Sequence, residues 1–173
     1  GIATDKRDAI FWSWTDALAK TDARGKLLLQ IDVARHHGDL CHHDGKLYVA
    51  VNLGKFNEPP GAADSWVYVY DADTLAELTR HAVPELVHGA GGIERCTDGF
   101  IVVGGLPTDV DENYLYQYDE HFNFRKRHTL ASGHTTKGIQ TVARAGDTWW
   151  FGCYGKPKML LRADARFQCT GRW

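Results

Sequence analysis

Val67-Tyr68-Val69-Tyr70-Asp71-Ala72-Asp73-Thr74-Leu75 is the stretch on which the reading of this chain turns. Its first four residues are β-branched or aromatic and fit a pleated strand. Asp71 then opens a turn, where a carboxylate can accept the backbone N–H groups that follow it. A second strand-like run, Leu75 to Thr79, comes next, so the segment reads as a hairpin. The same signature stands at Asp22, Asp119 and Asp164, in Lys20-Thr21-Asp22-Ala23-Arg24-Gly25, Gln117-Tyr118-Asp119-Glu120-His121-Phe122 and Arg162-Ala163-Asp164-Ala165-Arg166-Phe167. The four aspartates are 49, 48 and 45 residues apart, a period that identifies an internal repeat.

A second hairpin lies between these, marked by Asp44-Gly45, Asp98-Gly99 and Ala145-Gly146-Asp147. A short strand precedes each of those turns and a more apolar one follows it, at Leu47 to Val51, Phe100 to Val103 and Thr148 to Gly152. Each period therefore holds four strands, A to D, joined as a meander. Four antiparallel strands per repeat make the blade of a β-propeller, so the expected fold is all-β. Val67 to Leu75 resembles the strand-and-turn motif of YVTN-type propeller repeats, a resemblance that implies an architecture and no particular activity.

The repeat places blades at about 9–34, 36–85, 88–133 and 134–173 in one domain. The first is incomplete, lacking a clear strand A unless Ile2 to Arg7 supplies it. Closed propellers have about four to eight blades. The chain is then a small ring, a fragment of a larger one, or half of a ring completed by a second copy. An open end would expose unpaired edges, which favours the fragment or the self-associating half.

Composition agrees with this architecture and narrows the function classes. Among 173 residues there are 18 Gly, 20 aromatics and one Met, a profile of short strands and tight turns. A formal charge of -2, with Arg125-Lys126-Arg127 the longest run of one sign, provides no basic footprint, so no nucleic-acid partner is expected. No apolar stretch approaches the roughly 20 residues of a membrane span or the core of a signal peptide, so no membrane partner is expected and the default compartment is cytoplasmic. Cys41, Cys96, Cys153 and Cys169 form no C-x-x-C pair and read as reduced thiols.

In a meander, the B-to-C loops and D-to-A connections share one end of the blade. Here they are also the longer segments, 52–65, 104–113 and 153–158 against 35–38, 87–91 and 132–137, and long loops on a rigid scaffold carry binding residues. The D-to-A connections repeat a histidine. Aligning Gly92-Ile93-Glu94 with Gly138-Ile139-Gln140 places His88 on His134, and His36-His37 falls close to the same place in blade two. Strand A is innermost, so these imidazoles would converge on the channel mouth, with Asp39, Glu94 and Gln140 at the adjacent strand starts. Such a set could hold a divalent transition metal with an open position, with Asp39 or Glu94 as general base. The alternative is that the histidines hydrogen-bond loop backbones. Lys55, Phe56 and Lys156, in related B-to-C loops, would bind a ligand above the channel together with Gln140. Asp109, Asp111 and Glu112 lack the Gly and final Glu of a calcium loop and read as solvated. Trp12, Trp14, Trp149 and Trp150 are expected mostly between blades.

The first functional reading is a propeller module that binds a small molecule or a protein partner on the long-loop face. A metal-dependent hydrolase or lactonase-like enzyme using His36, His37, His88 and His134 is the alternative, by architectural analogy. A self-assembly module, hence a homo-oligomer, is the third.

Overall fold

Runs of alternating residues pair with their sequence neighbours, each closing on a short turn. The computed structural model, which describes residues 1–173, contains sixteen strands and no helix. The first sheet is β1 (Ile2–Thr4), β2 (Ala9–Trp14), β3 (Ala17–Asp22) and β4 (Leu27–Asp32). The second is β5 (His37–His43), β6 (Lys46–Asn52), β7 (Ser65–Asp71) and β8 (Glu77–Ala82). β9 (Ala90–Cys96), β10 (Gly99–Gly104), β11 (Asn113–Tyr118) and β12 (Phe124–Leu130) form the third. β13 (Ile139–Ala145), β14 (Thr148–Cys153), β15 (Met159–Ala163) and β16 (Cys169–Arg172) form the fourth. Within each sheet the order in space is the order in sequence and all pairs are antiparallel. This is a four-bladed β-propeller arrangement.

The first blade is complete, its strand A supplied from within Ile2 to Arg7, the stretch the sequence left open for it. Ile2–Thr4 pairs with β2 through Ile2↔Trp12, Ala3↔Phe11 and Thr4↔Ile10. Three residues followed by the charged turn Asp5-Lys6-Arg7-Asp8 are too short to show alternation. The turn itself is capped: Asp5 Oδ1 accepts from the N–H groups of Arg7 and Ala9 at 2.8 and 3.1 Å.

The four repeat aspartates perform one task. Oδ1 of Asp22, Asp119 and Asp164 each accepts two backbone N–H groups, from the residues two and four positions ahead, at 2.8–2.9 Å. Asp71 does the same with Asp73 and Thr74 in a turn one residue longer. Every one of these turns then needs a left-handed residue, at Gly25, Leu75, Phe122 and Phe167, with φ of 84, 56, 61 and 61°.

Three apolar clusters join successive blades. Phe11 and Leu18 of blade one meet Val49, Tyr68 and Leu75 of blade two. Ala50 and Val67 meet Ile93, Phe100 and Phe122 of blade three. Ile101 and Leu115 meet Trp149, Phe151 and Phe167 of blade four. Leu75, Phe122 and Phe167 thus turn their left-handed backbone into a plug that fills the junction with the preceding blade. At the axis the inner strands approach through glycine: a Cβ at Gly38 would collide with the Gly91 carbonyl oxygen, and one at Gly91 would sit 3.0 Å from that of Ile139.

No such cluster joins blade four to blade one. Trp149 fills a junction as expected, but Trp12, Trp14 and Trp150 do not, because strand alternation turns them to the free faces of the terminal blades.

Candidate functional site

A concavity of about 1030 Å³ opens at the long-loop end of the channel. β5 contributes His37 and Asp39 from its start, preceded by His36, and the loop after β6 contributes Lys55, Phe56 and Glu58. Gln140 and Thr141 of β13, Tyr154 beyond β14, and Trp14 to Asp16 at the β2–β3 turn complete the wall. Meander topology brings these segments together, since B-to-C loops and strand-A starts share one end of every blade.

Of the residues singled out from sequence, His36, His37, Asp39, Lys55, Phe56 and Gln140 therefore line one cavity. His88, His134 and Lys156 lie outside it, and Glu94 lines a separate groove of about 510 Å³ at the other end of the channel, beside Ile2, Lys6 and Arg144. Nowhere are three or more His, Cys, Asp or Glu side chains grouped so as to hold a metal ion.

The histidines face their own neighbours instead. Both His37 ring nitrogens are engaged, Nδ1 with the Ala34 carbonyl at 2.6 Å and Nε2 with the Tyr70 hydroxyl at 2.7 Å. Burial lowers its pKa to about 4, so it is neutral at pH 7. Nδ1 of His88 meets the Glu58 carbonyl at 2.9 Å, and Nδ1 of His134 meets that of Val110 at 3.0 Å. Each of these two equivalent residues fastens a B-to-C loop to the following D-to-A connection. His36 alone is exposed, at the cavity wall.

Asp39 is the buried acid of the site. Burial raises its carboxyl to about 6, opposed by the Val142 N–H, which donates to Oδ2 at 2.9 Å, and by the nearby Gly1 amino group. At neutral pH it is an anion at the cavity floor. Glu94 is likewise raised to about 6 by burial at the far end. Asp16 and Glu58 against Lys55 make the wall mixed in charge, while Trp14, Phe56 and Tyr154 add apolar surface. The Lys137 ammonium stands 5.9 Å from the Tyr154 ring centre.

The sequence reading singled out neither Asp16 nor Glu58, chose Lys156 rather than Tyr154 from their shared segment, and expected Trp14 between blades. Trp14 precedes and Asp16 belongs to a two-residue turn, Thr15-Asp16, too short to register as a loop. Tyr154 precedes the Gly155-Lys156 pair, and of that segment Tyr154 lines the cavity while Lys156 does not.

No protein-family model matches the chain, and no curated protein matches it in sequence. Solved structures do match. A protein of unknown function from Bacteroides caccae superposes with a TM-score of 0.59 at 13% identity, over 99% of this chain and 59% of that one. A subtype N10 neuraminidase-like protein of A/little yellow-shouldered bat/Guatemala gives 0.58 at 11% identity, over 98% and 56%. The Dos1 propeller gives 0.50 at 15%, over 96% and 44%. The likeness is one of fold. The chain spans between two fifths and three fifths of the length of these structures. No helix is long and apolar enough to cross a membrane.

Proposed function

We propose that this chain is a propeller repeat module whose channel mouth binds a small polar ligand with one flat, apolar face. The observation that carries the reading is the convergence of Lys55, Gln140 and Asp39 with the rings of Trp14, Phe56 and Tyr154 on one cavity of about 1030 Å³. Ligand sites combine apolar surface with a few fixed polar groups in this way, in volumes of roughly 300–1,000 Å³. The likeness of Val67 to Leu75 to YVTN-type repeats supports the scaffold part of this reading. The ligand chemistry rests on the cavity alone.

Saturation-transfer NMR with a panel of monosaccharides, nucleosides and small carboxylic acids tests it. At least one member should bind, and Phe56→Ala and Lys55→Ala should each weaken it about tenfold or more, equivalent to about 1.4 kcal/mol. Both side chains belong to a surface loop, so the far-UV spectrum should not change. A panel without a binder, or a binder indifferent to both substitutions, sinks the reading.

A further inference from the structure

The repeat sets equivalent residues into each junction at the end opposite the long loops. One blade supplies a cross-strand pair from strands B and C: Phe11 with Lys20, Tyr48 with Val69, and Ile101 with Gln117. The strand-C member always comes two residues before the repeat aspartate. The next blade supplies the residue two places after its own repeat aspartate, which is Asp73, His121 or Arg166.

The three junctions differ in how their charges are met. Between blades one and two a hollow of about 330 Å³ holds Asp5, Asp44 and Asp73 against Arg7 and Lys20, and Lys20 Nζ bonds Asp73 Oδ1 at 2.9 Å. Between blades two and three the Tyr48 ring packs 4.5 Å from that of Phe100 and 6.0 Å from that of Phe122, and Arg95 pairs with Glu120. Between blades three and four Gln117 stands in the place of Lys20 and Arg166 in that of Asp73, so the bridge has no counterpart. A hollow of about 400 Å³ is lined there by Lys126, Arg144 and Arg166 against the single acid Asp98. Lys126 and Arg166 are exposed, and neither joins any ion pair of the chain. Arg144 is the anchored cation. Its Nε donates to the Gly146 carbonyl at 2.9 Å, its guanidinium carbon lies 5.5 Å from the Trp149 ring centre, and its contact with Asp147 is long, at 3.8 Å. His128 Nε2 meets Gln117 Oε1 at 2.9 Å, which leaves the Gln117 amide nitrogen free to donate. Ile101, Trp149 and Phe167 supply the apolar part of the wall.

We infer that this groove between blades three and four binds a small phosphate monoester, its dianion held by Arg144, Lys126 and Arg166 and its organic part laid on the apolar wall. Three cations against one carboxylate leave an excess of two positive charges, which matches the roughly −1.5 to −2 of a phosphate monoester at pH 7. Arginine forks and lysine ammonium groups are the usual partners of such an anion. The wall runs from Cys96 to Phe167 and is built wholly within one internal junction, apart from the long-loop cavity.

Amide NMR titration with phenyl phosphate and, separately, inorganic phosphate tests this. Phenyl phosphate should saturate with a Kd of about 1 mM or tighter and shift the amides of 97–98, 126–128 and 165–167, with inorganic phosphate weaker at the same amides. Arg166→Asp gives blade four the acid that blade two has at this place, and Lys126→Ala removes the second rim cation. Both side chains are in water, so each variant should keep the parent's spectrum elsewhere while weakening phenyl phosphate about tenfold or more. Phe56→Ala, in the long-loop cavity, should leave that affinity unchanged. No saturation by about 20 mM, inorganic phosphate binding as tightly as phenyl phosphate, indifference to Arg166→Asp, or loss of binding in Phe56→Ala would each overturn the inference.

Discussion

At the scale of single residues, the repeat is a device for satisfying backbone donors. An aspartate in each outer hairpin accepts two N–H groups that the turn would otherwise leave unpaired, so Asp164→Ala should cost about 1–2 kcal/mol in denaturant unfolding. The plug residues set two effects against each other. A left-handed backbone costs a non-glycine residue about 1–2 kcal/mol, whereas removing a buried phenylalanine costs about 3–5. Burial wins, and Phe122→Gly should destabilise the chain by about 2–3 kcal/mol despite relieving the turn. A Phe122→Gly variant as stable as the parent would refute that ranking. Asp39 gives the clearest pH signature. Its folded pKa, about 6, lies above the ordinary 3.8, so its contribution to stability is full below about pH 4 and is lost as pH rises through 6. Glu94 acts in the same direction, and His37, lowered to about 4, in the opposite one. Urea midpoints should therefore show Asp39→Asn gaining on the parent from pH 4 to 6 and running level above; parallel profiles would show that Asp39 is not the group responsible. The aspartates were legible in the sequence because a turn cap is local chemistry. The direction of His37 was not, since repeat spacing fixes where a residue stands in its blade but not which neighbour its ring meets, here Tyr70.

At the scale of strands and connections, the long loops are held by histidine and by the first residues of the C strands. Ser65 Oγ donates to the Leu86 carbonyl and accepts from Ala90 N–H, and Asn113 Nδ2 donates to Ser132 and Thr135. Each ties a C strand to the connection that leads into the next blade. His88→Ala should leave the sheets intact, cost on the order of 1–2 kcal/mol, and raise the hydrogen-exchange rate of the 55–58 amides, since its ring is bonded to the Glu58 carbonyl. Unchanged exchange there would mean that the loop is held by other bonds, such as that from Asn57 N–H to the His88 carbonyl. Most strands could be read from alternation and turn residues. β1 could not, because three residues carry too little pattern. Nor could the solvent-facing tryptophans, because alternation on a terminal blade is indistinguishable from alternation on an internal one until the neighbour is seen to be missing.

At the scale of the whole molecule, the blades form a row in which the inner two are covered on both faces and the outer two on one. Stability in such arrays depends on nearest-neighbour interfaces, so the ends open first. Amides of β6 and β10 should exchange more slowly than those of β3 and β15, and a uniform pattern would mean that the four blades unfold as one unit. The bond from Val142 N–H to Asp39 has another result at this scale. It runs across the axis between the inner strands of blades two and four, with the long-loop cavity on one side of it and the groove around Glu94 on the other. The two hollows have no lining residue in common, so this single bond acts as a partition, and each chamber keeps its own buried acid, Asp39 on one side and Glu94 on the other.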